Sequence, residues 1–167
     1  MTVNQVLRSA ISELGRMLGI DSLAWDSDAS CLIEFADNVG ITLYFNDEHD
    51  VIYIYALVGE LAPDAPSNLL GEVLESNLFG IGTRGASFGL DRDNGLLYLS
   101  RSVPQGAVCG EYLYRCLIDM LDVLRRWKPK LSAALSANAD HPSEGPPSTG
   151  GNDQAAYDRQ ISITVRP

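Results

Sequence analysis

Three glycines, Gly80, Gly82 and Gly85, match the GxGxxG pattern of loops that bind the pyrophosphate of a dinucleotide. In such proteins the loop leaves a strand and opens a helix, so that the N-terminal end of the helix meets the phosphates. Here the apolar pattern predicts a helix before the loop and a strand after it, which would present the negative end of a helix dipole to the phosphates. Ser100 stands where a ribose-binding carboxylate would be sought. We therefore interpret these glycines as a helix end and a turn, and we predict no cofactor.

The side chains that could act as nucleophiles are Cys31, Cys109 and Cys116. They form no CxxC pair and lie in apolar segments, so the sequence favours core thiols over catalytic or metal-bound ones. The two histidines, His49 and His141, lie in polar sequence and do not combine with a cysteine into a positioned pair. We predict no catalytic residue and no enzyme. A small cysteine-dependent enzyme that uses Cys109 or Cys116 is kept as the weakest alternative.

A cluster of acidic residues, Asp47, Glu48 and Asp50, resembles a metal-binding loop only loosely. The twelve-residue calcium pattern needs a central glycine and a terminal glutamate, and both are absent. We interpret this segment as a solvated turn and predict no metal site.

The chain has 167 residues, 46% of them hydrophobic, which suits one domain with an ordinary core. Its net charge is −10, and residues 1–80 carry 13 acidic and 2 basic side chains. This charge argues against nucleic acid and anionic membranes as partners. The first residues do not resemble a signal peptide, and no apolar run reaches the roughly 18 residues of a membrane span. With unpaired cysteines, these features predict a cytoplasmic protein without membrane insertion.

The elements around these residues follow from apolar spacing. An amphipathic helix follows Thr2 or Asn4, either of which could cap it, and ends at Gly19. Three strands over residues 30–36, 41–45 and 51–58 are separated by short polar turns, which predicts an antiparallel meander. The third strand is apolar on both sides and should be covered on both. The cover could be two layers of one chain or, in part, a second chain.

Residues 63–66 contain two prolines that break the chain before a second helix over residues 69–79. Two strands follow, over residues 86–90 and 96–101, and the Asn-Gly pair between them predicts a hairpin. A third helix over residues 111–127 is predicted to end before Pro129. The fold class is therefore α+β, in the order α-β-β-β-α-β-β-α, with a twisted antiparallel sheet and helices.

After this domain, residues 1–135, the composition changes. Residues 142–152 are rich in Pro, Gly and Ser, which predicts a flexible tail over residues 136–167. Residues 160–165 alternate like a short strand, which could pair with a sheet edge or be simply part of the tail. We predict the tail.

The ordered set of elements and several local motifs resemble the class I type III secretion chaperones of the Tir-chaperone family. Residues 74–80 followed by residues 82–85 resemble the family's LLxANxxxxxTGG helix end, and Leu18-Gly19-Ile20 resembles its Leu-Gly-Leu. Asp21 stands where the family often has proline. The other matching segments are residues 58–63, 88–91 and 96–100 and Trp127. The resemblance covers about residues 3–131.

The resemblance implies a cytoplasmic homodimer, in a Gram-negative bacterium, that binds the N-terminal segment of a secreted effector in extended form. Such a chaperone keeps the segment soluble and delivers it to the export apparatus, whose ATPase is a further implied partner. The residues to which the resemblance assigns effector binding are Leu14, Leu18, Ile33, Phe35, Tyr44, Tyr53 and Tyr55. Those assigned to the dimer interface are Leu70, Leu74, Leu78, Phe79, Phe88 and Leu90. The main alternative is a YbjN-like α+β protein-interaction module that serves no secretion system.

Overall fold

The computed structural model of the chain describes residues 3–36, 38–61 and 67–139. The helices and strands are α1 (Gln5–Leu18), β1 (Ser30–Phe35), β2 (Val39–Asn46), β3 (Val51–Glu60), α2 (Ser67–Asn77), β4 (Ser87–Asp91), β5 (Leu96–Pro104) and α3 (Gly110–Ala139), with short 3₁₀ turns at Leu78–Gly80 and Gln105–Ala107. The strands form one antiparallel sheet in the order β1-β2-β3-β5-β4. The predicted α+β class and element order are confirmed.

Among the described residues, helices cover one face of the sheet and not the other. Along β3 the side chains of Ile52, Ile54 and Ala56 are buried, whereas Tyr53 and Tyr55 between them are half-exposed. This alternation is the pattern of a sheet with a single covered face. The expectation that β3 is covered on both faces is therefore not met within one chain, because its second apolar face consists largely of tyrosines that tolerate partial contact with water.

Helix α1 has the boundaries that its sequence indicates. The Asn4 side chain accepts a hydrogen bond from the Leu7 N–H at 3.0 Å, so that Asn4 is the cap, and Thr2 lies outside the described residues. Gly19 ends the helix with φ 73°, a left-handed conformation that glycine adopts without strain. The helix packs against α3, where the Glu13 carboxylate accepts from the Gly110 N–H at 3.0 Å.

Helix α2 lies beside the edge strand β4 and turns a narrow apolar stripe inward. Leu69 and Val73 are buried, whereas Leu70 and Leu74 point away from the core and are exposed. Leu70 and Leu74 therefore lie on a different side of the helix from Val73. The predicted break at residues 63–66 lies outside the described residues.

Helix α3 does not end at Pro129, and the prediction that it does is wrong. Leu131 is buried against Gly59, where an added Cβ would lie 2.8 Å from the Leu131 Cδ2 atom. Lys128 Nζ donates to the Asn38 carbonyl at 3.3 Å, and Lys130 pairs with Glu72. These tertiary contacts offset the backbone hydrogen bond that a proline removes from a helix. The helix runs to Ala139 and so includes the first residues assigned to the tail. The remainder, residues 140–167, lies outside the described residues.

Candidate functional site

The face of the sheet that no helix of the described residues covers carries a cluster of tyrosines. Tyr44 on β2 pairs directly with Tyr53 on β3, and Tyr55 lies between Thr42 on β2 and a serine on β5. Tyr98 on β5 is opposite the exposed Leu57 of β3. We call the set Tyr44, Tyr53, Tyr55, Leu57 and Tyr98 the tyrosine face. Its rings are flat, half-exposed apolar surface, and their hydroxyls can hydrogen-bond to a partner.

The tyrosines of this face are partly buried even without a partner. Burial raises the pKa of the Tyr55 hydroxyl above its usual value, although a hydrogen bond with Thr42 lowers it. A shallow groove of about 230 Å³ continues the face toward the start of β4. It is lined by Tyr53, Gly85, Ser87, Ser100, Arg101 and Ser102. Aromatic surface with small hydroxyl groups at its border is well suited to bind a polypeptide.

One edge of the sheet, strand β1, presents backbone hydrogen-bonding groups. At its start, the Asp26 N–H donates to the Ser30 carbonyl at 2.8 Å, and the Ser30 N–H donates to Asp26 Oδ1 at 2.9 Å. Because the N–H and C=O of alternate residues point to the same side of an antiparallel strand, those of Leu32 and Glu34 also face outward. The β1 edge beyond Ser30 therefore offers a place where another strand can be added.

The opposite edge, strand β4, is closed by two side chains. Asn77 donates from Nδ2 to the Phe88 carbonyl at 3.1 Å, and its Oδ1 accepts from the Phe88 N–H at 2.7 Å. Thr83 binds Ala86 in the same way, because its carbonyl accepts from the Ala86 N–H at 3.1 Å and its hydroxyl donates to the Ala86 carbonyl. The outward-facing groups of Ala86 and Phe88 are thus satisfied, whereas the same alternation leaves those of Leu90 facing outward. Beyond Ser30, β1 presents two such positions, Leu32 and Glu34, and is the longer edge for strand addition.

The loop between α2 and β4 exposes the aromatic side chain of Phe79 to solvent. Phe79 is 89% exposed and has φ 54°, a left-handed conformation that is uncommon for a bulky residue. The loop is closed by a hydrogen bond from the Gly85 N–H to the Gly80 carbonyl at 2.9 Å. Gly82 packs so tightly that an added Cβ would lie 2.7 Å from the Ser76 Cα atom. The glycines of the GxGxxG pattern therefore shape a turn from helix to strand, as their sequence context indicates.

The exposed side of α2, this loop and the nearby strand β4 carry large exposed apolar side chains. Ile81, next to Phe79, is 80% exposed, and Leu74 is 70% exposed. We call the set Leu70, Leu74, Leu78, Phe79, Ile81 and Leu90 the α2 patch. Ion pairs lie near it, such as those from Arg84 Nη1 to Asp119 at 3.1 Å and to Asp122 at 3.2 Å. An apolar centre with charged residues around it has the composition of a protein–protein interface.

The structure brings together some of the residues assigned to effector binding and separates others. Tyr44, Tyr53 and Tyr55 share the tyrosine face, whereas Leu14 and Ile33 are buried under the helices and present no surface. Leu18 and Phe35 are half-buried against the core, with Phe35 on the helix-covered side of β1. We therefore retain the three tyrosines as the candidate contact residues.

The residues assigned to the dimer interface are exposed with one exception. Leu70, Leu74, Leu78, Phe79 and Leu90 belong to the α2 patch. Phe88 is instead buried, because it packs edge-on against Trp127 with ring centroids 4.8 Å apart. Phe88 and Leu90 are two residues apart on β4, so the alternation of the strand places both on the same side. The sequence pattern therefore could not tell that one is buried and the other exposed.

Sequence reasoning missed four residues of these surfaces. Leu57 and Tyr98 face each other on the tyrosine face, and their alternation with buried neighbours was a usable signal. Ile81 is an apolar residue between two loop glycines, which is unusual for a solvated turn. Thr83 stands at the threonine of the LLxANxxxxxTGG pattern, but the pattern does not indicate its role, which depends on where the loop meets β4.

Two of the three thiols, those of Cys31 and Cys116, are buried. Burial raises the pKa of Cys31 to about 12, with a further contribution from the charge of Asp26. Burial likewise raises the pKa of Cys116 above its ordinary value. A raised pKa means that both thiols are protonated and poorly nucleophilic near neutral pH. Cys109 is exposed at the start of α3.

We therefore expect one thiol per folded chain to react with Ellman's reagent at pH 8, and all three after unfolding in guanidinium chloride. Cys109→Ser should remove the fast reaction, because the thiolate is the reacting species and the other two thiols are protonated and buried. Fast reaction of Cys116 in the folded Cys109→Ser variant would contradict this expectation and would favour the cysteine-dependent enzyme.

Within the described part of the chain, no three His, Cys, Asp or Glu side chains are grouped so as to hold a metal ion. None of the helices in the described residues is long and apolar enough to cross a membrane.

In the acidic turn after β2, the His49 N–H donates to Asn46 Oδ1 at 3.1 Å. This segment is a hydrogen-bonded turn, as predicted.

The fold and these surfaces are those of a protein-binding domain, and a comparison of the sequence with family models gives its class. The chain belongs to the Tir chaperone protein (CesT) family, whose model matches residues 9–128. The match begins in α1 and ends in α3, so it includes the whole sheet and both edges. No curated protein sequence matches the chain significantly.

Solved structures support the same fold. A chain of the HopA1–SchA chaperone–effector complex aligns with a TM-score of 0.63 and 21% identity, covering 77% of this chain and 99% of that one. A chain of the ExsC–ExsE complex aligns with a TM-score of 0.63 and 20% identity, covering 78% and 97%. A chain of the ExoU–SpcU complex from the type III secretion system of Pseudomonas aeruginosa aligns with a TM-score of 0.61 and 16% identity, covering 74% and 98%.

Proposed function

We propose that this protein is a cytoplasmic type III secretion chaperone of a Gram-negative bacterium. It binds the N-terminal segment of a secreted effector in extended form, keeps that segment soluble and delivers it to the export apparatus. Membership of the Tir chaperone family supports this function. The observation that carries it is the tyrosine face next to a β1 edge with outward-facing backbone groups. Contact with the export ATPase stays a prediction of the family resemblance.

The geometry allows both parts of such binding. A client segment that pairs with Leu32 and Glu34 of β1 satisfies its backbone groups, and apolar side chains beside it contact the tyrosine face. Backbone pairing tolerates many sequences, whereas the tyrosines select apolar residues. Asp26 and Glu34 flank the edge with negative charge, which favours a client with basic residues around its apolar run.

We further propose that the functional unit is a homodimer formed through the α2 patch. The supporting observation is the exposure of its six apolar side chains, which a monomer would leave in water. A two-fold dimer brings the same patch of two chains together, so one self-complementary surface is sufficient. Such an arrangement leaves the tyrosine face and the β1 edge of each chain free for a client.

The client proposal is tested by purifying the tagged full chain from its native cells and identifying bound proteins by mass spectrometry. We expect an exported protein whose N-terminal segment alone competes for binding. Tyr53→Ala should weaken the affinity for that segment by about tenfold or more, because truncating a central interface aromatic costs about 2 kcal/mol.

Tyr114→Ala is the matched control, since it removes a half-buried tyrosine from α3, on the other side of the sheet. It should leave the affinity unchanged. Binding that Tyr114→Ala weakens as much as Tyr53→Ala would contradict the assignment of the tyrosine face. Recovery of no exported protein would contradict the proposed function itself.

A further inference from the structure

We propose that the groove beside Tyr53 is a subsite for a carboxylate, which the guanidinium of Arg101 holds. We call it the Arg101 groove: the shallow cavity of about 230 Å³ at the end of the tyrosine face, bordered also by Gly85, Ser87 and Ser102. Its ligand is an acidic side chain of the polypeptide that binds the tyrosine face. The inference rests on the proposed function for the source of that side chain, whereas the chemistry of the groove does not depend on it.

Arg101 forms no ion pair with the described residues. Its Nη1 donates to the Arg84 carbonyl at 3.2 Å and its Nη2 to the Tyr112 hydroxyl at 3.2 Å, and both acceptors are neutral. The carboxylates of Asp119 and Asp122 are instead paired with Arg84. In a chain of net charge −10, a guanidinium that no carboxylate neutralises attracts an anion from outside.

The guanidinium of Arg101 is held in place and is open toward the groove. The Tyr112 ring centroid lies 5.7 Å from the Arg101 Cζ atom, so that a cation–π contact and two hydrogen bonds fix its position. This preorganisation lowers the entropy cost of binding, and the guanidinium has more N–H donors than those two bonds use. An added Cβ at Gly85 would lie 3.5 Å from Arg101 Nη2, so the glycine leaves the approach to the guanidinium free.

The composition of the groove favours a ligand group with one negative charge. Among the described residues that line it, Arg101 is the one cation, and the others are serines, Gly85 and Tyr53. A carboxylate is planar and accepts two parallel hydrogen bonds from one guanidinium. A phosphate group carries a charge of about −1.5 to −2 and is typically bound by a cluster of arginines. The chemistry therefore points to a carboxylate.

The Arg101 groove continues the tyrosine face in register. Tyr44 on β2, Tyr53 on β3 and Ser102 on β5 are successive cross-strand partners, and Ser30 on β1 pairs with Tyr44. At about 4.8 Å between strands this row is about 14 Å long, which about four extended residues span. Asp26 lies at the β1 end of the row, and the guanidinium lies at the β5 end. A client segment that crosses the face is therefore favoured with basic residues toward β1 and an acidic residue toward β5.

The test is an NMR titration of the full chain with N-acetylglutamate methylamide, whose only charge is a carboxylate. We expect saturable shifts of the Gly85 and Ser102 amide signals, and no such shifts with N-acetylglutamine methylamide. Arg101→Gln should abolish them, because it removes both the charge and the paired donors. Arg92→Gln is the matched control, since it removes the same charge from an exposed position in the turn between β4 and β5 and should leave the titration unchanged.

Ser102→Glu tests the groove without removing Arg101. It supplies a carboxylate from the chain itself, at an exposed position that lines the groove, and should weaken binding of the glutamate probe by about fivefold or more. Ser102→Gln should not. A natural chain without saturable shifts, or shifts that persist in folded Arg101→Gln, would overturn the inference. Inorganic phosphate that binds more tightly than the glutamate probe would overturn the carboxylate assignment.

The subsite and the proposed function fail separately. In a client segment captured from cells, replacing the acidic residue that occupies the groove with its amide should weaken binding by about fivefold or more, and Arg101→Gln should remove this difference. A captured client whose affinity responds to no such replacement would overturn the subsite and leave the proposed function in place. Recovery of no exported protein would contradict the proposed function, while the titration with the glutamate probe still decides on the groove.

Discussion

Replacing Phe79 with aspartate is expected to convert the proposed homodimer into a monomer. Phe79 is 89% exposed at the tip of the loop after α2, next to Ile81, and would be buried between two chains. A charge placed there in both chains must be desolvated opposite its own copy. We expect the dimer dissociation constant to rise by about a hundredfold or more, which corresponds to about 2.7 kcal/mol. Sedimentation velocity over a range of concentrations measures it.

The same substitution should not unfold the chain. Phe79 has φ 54°, and aspartate adopts this left-handed region more readily than phenylalanine. Met17→Asp is the matched control, because Met17 is an exposed apolar residue of α1, outside the α2 patch. It should leave the dissociation constant unchanged. A natural chain that is monomeric at all concentrations, or a Phe79→Asp variant that dimerises normally, would contradict the proposed interface.

Replacing Asn77 with alanine is expected to lower the free energy of unfolding by about 2–3 kcal/mol. The change removes two hydrogen bonds to Phe88 and leaves the partly buried N–H and C=O of that residue without their side-chain partner. Each unsatisfied buried group costs about 1–3 kcal/mol, and water can relieve part of this cost at an edge strand. Guanidinium chloride unfolding followed by circular dichroism measures the change.

Asn68→Ala is the control for this experiment, because Asn68 is an exposed asparagine in the same helix. It should change the free energy of unfolding by less than about 0.5 kcal/mol, as surface substitutions generally do. Asn77→Ala should also increase the tendency to aggregate, since it opens the β4 edge. Equal stability of the two variants would show that Asn77 does not close that edge.

The sequence was sufficient for the elements whose signals are local. Asn4 caps the start of α1 and Gly19 caps its end, as their residue types indicate. The Asn94-Gly95 pair lies in the turn that joins β4 to β5. Period-two alternation placed each strand to within a few residues of its position in the structure. These signals succeed because capping, turn conformation and burial of one face act over a few neighbouring residues.

The boundaries that failed depend on distant residues. Pro129 normally ends a helix, but Leu131 packs on Gly59 of β3, and Lys130 pairs with Glu72 of α2. A sequence pattern contains no information on these partners, which lie about 60 or more residues away along the chain. The predicted stop was therefore locally reasonable and wrong.

The candidate surfaces were predicted in part. The sequence selected Tyr44, Tyr53 and Tyr55, and the structure places them together on the uncovered face. It also selected Leu14 and Ile33, which are buried, because an apolar residue that serves the core and one that serves a partner have the same spacing. Whether such a residue is buried in the core or exposed to a partner depends on which face of the sheet the helices cover.

By itself, the sequence determined the fold class, the order of the elements and the resemblance to a chaperone family, since these follow from local patterns and motifs. Only the tertiary structure decided that α1 and α3 cover one face of the sheet and leave the tyrosine face open. It also gave the Asn77 and Thr83 motif positions a physical role, the closing of β4 by side-chain hydrogen bonds. The reason is that exposure and edge pairing are relations between segments, which form only when the chain has folded.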